Sequence, residues 1–133
     1  MLGRPTSWLL GIAVVTAPSL LGWLLVGTTI WPELQEPPGD LKLHVSCFVA
    51  TTVFAIGPFV ALLLARRFSD PVHPQAAGAA LGAISGAWAS VMIDLHCSVS
   101  STAHVALAHV APIVMYAVAG ALIGGRVLGV RAR

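Results

Sequence analysis

The chain has 133 residues, of which 57% are hydrophobic and 9% charged, and its mean hydropathy is +0.89. Soluble domains carry about 25% charged residues, so a water-soluble fold is excluded. At about 20 residues per transmembrane helix, the length fits four spans with short connectors and leaves no room for an extramembrane domain. The net charge of +2 comes from residues at the ends of apolar runs, which argues against nucleic-acid binding.

The first predicted span covers residues 7–30, an uncharged apolar run long enough to cross a bilayer with some tilt. The run is too long for a signal peptide, and no A-x-A cleavage site closes it. Residues 31–44 follow with three prolines and three acidic residues. We expect this segment at a membrane surface, with Trp31 in the interface.

Three more apolar runs predict spans at residues 45–65, 74–94 and 102–123. The third span has a small residue at every fourth position, at Gly78, Gly82, Gly86 and Ser90. Such a face lets another backbone approach closely, either a neighbouring helix or a second copy in a homodimer. The sequence therefore predicts an all-α integral membrane protein, a four-transmembrane-helix bundle formed as one domain by residues 1–133.

The basic residues are distributed unevenly across this four-span arrangement. Six arginines fall on one side, at positions 4, 66, 67, 126, 131 and 133, and only Lys42 falls on the other. By the positive-inside rule, both termini and the middle loop are cytoplasmic. The predicted protein is thus a multi-pass protein of the bacterial inner (cytoplasmic) membrane, with its outer loops in the periplasm.

The side chains that suit metal binding fall at the predicted outer face. Cys47 and Cys97, the only cysteines, begin the second span and follow the third, so they share one depth. Asp94 lies one turn inside Cys97, and an ionisable residue at membrane depth is a functional candidate. The remaining candidates are His44, His96, His104 and His109.

His104 and His109 pose a geometric problem. Five residues correspond to about 140° around an ideal α-helix. Both rings can therefore face one centre only if the fourth span begins late or bends.

Thiolate and imidazole ligands suit soft or borderline ions such as Cu(I) and Zn(II). The cluster therefore predicts a Cu or Zn site, or reversible thiol chemistry, at the outer face. Two other interpretations stay open. One is a structural disulfide between the two cysteines, which an oxidising periplasm permits, and the other is simple packing with interfacial histidines.

The region from Cys47 to Arg126 resembles the C-terminal part of the NrsF-type membrane anti-sigma factors. The shared features are Cys47 at a helix start, Gly57-Pro58, Arg66-Arg67, the glycines of the third span, Leu95-His96-Cys97, and a histidine-bearing helix that ends in Gly120 and Gly124. The resemblance implies a protein that holds a sigma factor at the membrane and releases it under heavy-metal stress. It also implies that Cys47 and Cys97 sense that stress.

This chain departs from the six-span form of that family, because four spans are predicted and few residues precede the first. We therefore carry over the sensor function rather than sigma-factor binding, and we expect no enzymatic activity. The alternatives are a non-catalytic subunit or assembly factor of a larger membrane complex, and a membrane thiol oxidoreductase. The absence of a C-x-x-C pair counts against the last.

Overall fold

The structure, a computed structural model, describes residues 41–129 apart from residues 68, 70 and 100. This part of the chain is helical and has no strand. Its elements are α1 (Leu41–Arg66), α2 (Pro74–Asp94), the single turn α3 (Thr102–His104), a π-helix (Val105–Val110) and α4 (Ala111–Val127). The last three follow one another without interruption and form one helix of 26 residues.

Three helices in the described part are long and apolar enough to cross a membrane: Leu41–Arg66, Pro74–Asp94 and Thr102–Val127. The predicted span 74–94 matches α2, whereas α1 begins before residue 45 and the last helix continues beyond residue 123. The predicted span 7–30 lies outside the described residues. The number of four spans and the orientation of the bundle therefore stay predictions.

The glycine-bearing face of α2 packs against α4 of the same chain. A Cβ atom added at Gly82 would overlap the backbone carbonyl of Tyr116, and one added at Gly86 would lie 2.7 Å from the Cα of Ile113. Gly78 meets Gly120 in the same way. Of the two partners that the sequence allowed for this face, a neighbouring helix is the one observed.

Helix α1 packs on this pair through residues spaced four apart, the buried Thr51, Ala55, Phe59 and Leu63. The rings of Phe59 and Tyr116 meet edge to face with centroids 5.2 Å apart. The Tyr116 hydroxyl donates a hydrogen bond of 2.7 Å to the Thr52 carbonyl. Apolar side chains such as Val49, Val53 and Phe54 cover the other face of α1 and are exposed, as lipid-facing side chains are.

The antiparallel packing separates two chemically different ends of the bundle. Pro74, at the start of α2, lies against Gly124 near the end of α4, and Arg126 follows two residues later. α1 also ends at this end of the bundle, with Arg66. The opposite end of the bundle is therefore formed by the start of α1, by the last residues of α2 and by the short helix α3. Both cysteines lie at this end.

Candidate metal centre at one end of the bundle

The thiols of Cys47 and Cys97 lie side by side. Cys47 is in the second turn of α1 and Cys97 follows α2, and their Sγ atoms are 3.8 Å apart. This separation is well beyond the S–S bond length of about 2.05 Å, and both residues are free cysteines. The two cysteines, which the sequence predicted to share one depth, lie in contact, and the disulfide interpretation does not describe this state.

His104 completes a group of three ligand atoms. Its Nε2 atom lies 3.2 Å from Cys97 Sγ, and the side chain is completely buried. Ser101 caps α3 by accepting a hydrogen bond of 3.3 Å from the His104 backbone N–H, which sets where the helix starts. The ligand atoms of Cys47, Cys97 and His104 all lie within 4.8 Å of one another.

These separations fit one metal ion. With Zn–S bonds of about 2.3 Å and tetrahedral angles, two sulfur ligands stand about 3.8 Å apart. The observed Sγ–Sγ distance of 3.8 Å agrees with this value, and the shorter contact from Cys97 to His104 suits a sulfur and nitrogen pair. The donor set of two sulfurs and one imidazole is the type that soft and borderline ions prefer.

The protonation state of Cys97 bears on how an ion would bind. Burial, reinforced by the neighbouring Cys47, raises the pKa of the Cys97 thiol to about 11 from its ordinary value of 9.0. The thiol is therefore protonated at neutral pH. An ion that binds here must displace a proton, since only the thiolate is a strong ligand.

The π-helix resolves the geometric problem of His104 and His109. Its hydrogen bonds join residues five apart, as between the Ala111 N–H and the Ala106 carbonyl, so the angle between residues five apart is much smaller than in a regular α-helix. The two imidazole rings consequently approach each other, with centroids 5.4 Å apart. The predicted late start or bend of this span is replaced by a wider helical turn.

Pro112 accounts for the position of this wider turn. A proline offers no N–H to the carbonyl four residues earlier, and in a regular α-helix its ring would clash with that carbonyl. Opening the helix before Pro112 avoids the clash, and α4 then continues with the proline in its first turn. Pro112 was the available sequence signal for the π-helix, although a kink is the commoner expectation for such a proline.

The other predicted site residues are placed differently. The His44 ring meets the His104 ring edge-on, with centroids 4.7 Å apart, so His44 borders the group. His96 is exposed, and its Nδ1 lies 2.9 Å from the Met92 carbonyl, so the group of three does not include it. His96 is next to Cys97 in sequence, but the turn after α2 directs the two side chains to different partners.

Asp94 and His109 form a pair on the inner side of the group. Asp94 Oδ1 lies 4.0 Å from His109 Nε2, with the Asp94 side chain partly exposed and His109 completely buried. Ser90 donates a hydrogen bond of 2.6 Å to the His109 backbone carbonyl, which joins α2 to the π-helix. Both residues thus belong near the predicted site, but they meet each other rather than the thiols.

The fold and the site together define a class, a small helical membrane protein with thiols and imidazoles gathered at one end. The family model NrsF, described as negative regulator of sigma F, matches residues 1–129, and the chain belongs to this family. The match extends beyond the region from Cys47 to Arg126 that carried the resemblance. Membership of this family makes the protein an anti-sigma-factor-like regulator. No curated protein and no solved structure matches the chain.

Proposed function

We propose that this protein is a metal-responsive anti-sigma regulator of the bacterial inner membrane. In this proposal a soft or borderline ion, copper or zinc, binds Cys47, Cys97 and His104 at the periplasmic end. The observation that carries the proposal is the convergence of these three ligand atoms within 4.8 Å. Family membership supports a sigma factor as the partner.

The three ligands come from three separate elements. Cys47 belongs to α1, Cys97 to the connection after α2, and His104 to α3. An ion bound to all three would tie these elements together and hold them in one arrangement. His104 leads directly into the π-helix and α4, whose far end carries Arg126. This continuity supports a response that travels along α4 to the cytoplasmic end, where the sigma factor would be held.

The metal content of detergent-purified protein tests this proposal. Wild-type protein exposed to zinc or copper and then washed is expected to retain the ion, and a variant with both Cys47→Ser and Cys97→Ser is expected to lose it. His96→Ala is the matched control, since His96 is exposed and bonded to the Met92 carbonyl. Equal metal content in wild type and the double variant would refute the metal site.

The 3.8 Å separation of the thiols also favours a second candidate function, thiol-stress sensing. Hydrogen peroxide can take two electrons and two protons from the thiol pair, forming one disulfide and two water molecules. Mass spectrometry after alkylation distinguishes the two functions. Peroxide should remove both alkylation sites if the pair senses oxidants, whereas retained reactivity under peroxide stress would leave metal binding as the response.

Binding of the sigma factor is a separate step of the proposal. Co-purification of the regulator with its sigma factor, with and without zinc or copper, tests that step directly. We expect release upon addition of the ion in wild type and no release in the double cysteine variant. A complex that withstands the ion in wild type would refute the coupling between the site and the partner.

A further inference from the structure

We propose that Asp94 and His109 form a second cation site, built from oxygen and nitrogen donors and separate from the thiols. Its ligand would be a borderline divalent cation such as Zn²⁺ or Co²⁺, with water completing the coordination. Asp94 is the last residue of α2 and His109 lies in the π-helix, so the site joins two elements on the inner side of Cys97. This site does not require Cys47 or Cys97.

The first observation is the condition of the His109 side chain. The residue is completely buried, and no residue within 41–129 that the structure describes offers a hydrogen bond to either ring nitrogen. A buried polar group left without a partner loses its hydrogen bonds to water without compensation and so destabilises the fold. Such groups in native proteins commonly mark the place of an ion or a water molecule.

The second observation is the gap between His109 and Asp94. The Nε2 to Oδ1 distance of 4.0 Å is too long for a direct hydrogen bond. Around one zinc ion, such a nitrogen and oxygen stand about 3.4 Å apart at a tetrahedral angle and about 4.0–4.3 Å apart when they lie opposite, so an ion reaches both atoms with at most a small shift of the Asp94 side chain. A cation between the two atoms would satisfy the ring nitrogen and also neutralise a carboxylate at membrane depth, where an unaccompanied charge is costly.

The third observation is that a hydrogen bond fixes the π-helix, which carries His109, against α2, which carries Asp94. The hydrogen bond of 2.6 Å from Ser90 to the His109 carbonyl ties the π-helix to α2, the helix that carries Asp94. The wide π-turn directs the His109 ring into the bundle interior, where it also meets the His104 ring. The two donors therefore approach each other without any contribution from the thiols.

Cobalt chloride titration of the full-length chain in detergent tests this site in the Cys47→Ser, Cys97→Ser variant. We expect binding of one cobalt ion per chain with visible d–d absorption and no thiolate-to-cobalt charge-transfer band in the near ultraviolet. Adding Asp94→Asn or His109→Gln to this variant should abolish the visible absorption. His96→Gln is the matched control and should leave it unchanged.

Absence of bound cobalt in the double cysteine variant would overturn the proposal and favour a bridging water molecule between Asp94 and His109. Cobalt binding that withstands both Asp94→Asn and His109→Gln would overturn it equally. Circular dichroism checks that each variant keeps its helices, and the isosteric Asp94→Asn carries the test if His109→Gln does not fold. The charge-transfer band of wild type reports the thiol site separately, so the two sites can fail independently.

Discussion

The Sγ atoms of Cys47 and Cys97 lie 3.8 Å apart although 50 positions separate the two residues in the chain. The contact exists because α1 and α2 run antiparallel, so the start of one helix meets the end of the other. His104 reaches the same point from the next helix, with its Nε2 3.2 Å from Cys97 Sγ. Any ligand held there connects all three long helices of the described part of the chain.

Alkylation of Cys97 should depend on pH in a particular way. Burial raises the pKa of this thiol to about 11, so the reactive thiolate is scarce at neutral pH and accumulates between about pH 9 and pH 11. In a Cys47→Ser variant, the rate of reaction with iodoacetamide should therefore keep rising through this range. Mass spectrometry at successive time points gives the rate.

The same proton competition predicts that metal binding at the thiol site tightens as the pH rises from 6 to 8.

A Cys97 alkylation rate that levels off by pH 8 would contradict the buried environment of this thiol.

The glycine face of α2 should tolerate no larger side chain at its centre. In Gly82→Leu the new Cβ would overlap the Tyr116 carbonyl, and backbone cannot move aside as a flexible side chain can. We expect the free energy of unfolding to fall by more than about 1–3 kcal/mol, the usual cost of overpacking a core. The measurement is the thermal unfolding temperature in detergent, which should be lower.

Gly125→Leu is the control for that experiment. A Cβ atom there meets only the Gln75 Cγ, at 3.7 Å, an ordinary contact distance. This variant should unfold close to the wild-type temperature. Equal stability of Gly82→Leu and wild type would show that α2 and α4 do not pack along these glycines.

Replacing Pro112 should change how His104 and His109 are oriented relative to each other without altering either residue. Pro112→Ala restores the missing N–H and removes the ring, so a regular α-helix becomes possible through residues 105–110. His104 and His109 would then point about 140° apart. In the Cys47→Ser, Cys97→Ser background, we expect zinc affinity at the Asp94 and His109 site to fall by about 10-fold or more, the scale on which supporting residues act at metal sites.

Isothermal titration with zinc measures this change, and Pro58→Ala is the control because Pro58 lies inside α1, outside the ligand group. Unchanged zinc affinity in Pro112→Ala would mean that the π-helix persists without the proline, held by contacts such as that from Ser90.

The orientation of the bundle can be tested with fused reporters. Arginines at the end of α1, near the end of α4 and after it predict a cytoplasmic location for that end. A reporter that is active only in the cytoplasm should be active at residue 69 and at the C-terminus and inactive at residue 38. Activity at residue 38 would place the cysteines on the cytoplasmic side.

The sequence by itself determined the membrane class and the approximate helices, because hydropathy is a local property of consecutive residues. The family resemblance was also readable from motifs, and the match over residues 1–129 confirms it. The glycines of α2 predicted a close backbone contact, since only small residues permit one. They did not reveal that α4 supplies the other backbone, because spacing on one helix does not identify its partner.

Only the tertiary structure decided which histidines accompany the thiols. His96, adjacent to Cys97 in sequence, bonds to the Met92 carbonyl, whereas His104 meets Cys97 from another element. The alignment of His104 with His109 rests on a π-helix, which forms where Pro112 and the packing of α2 together favour a wider turn. The direction of a side chain at a helix end depends on such long-range contacts, and these cannot be predicted from the spacing of residues along one segment of the sequence.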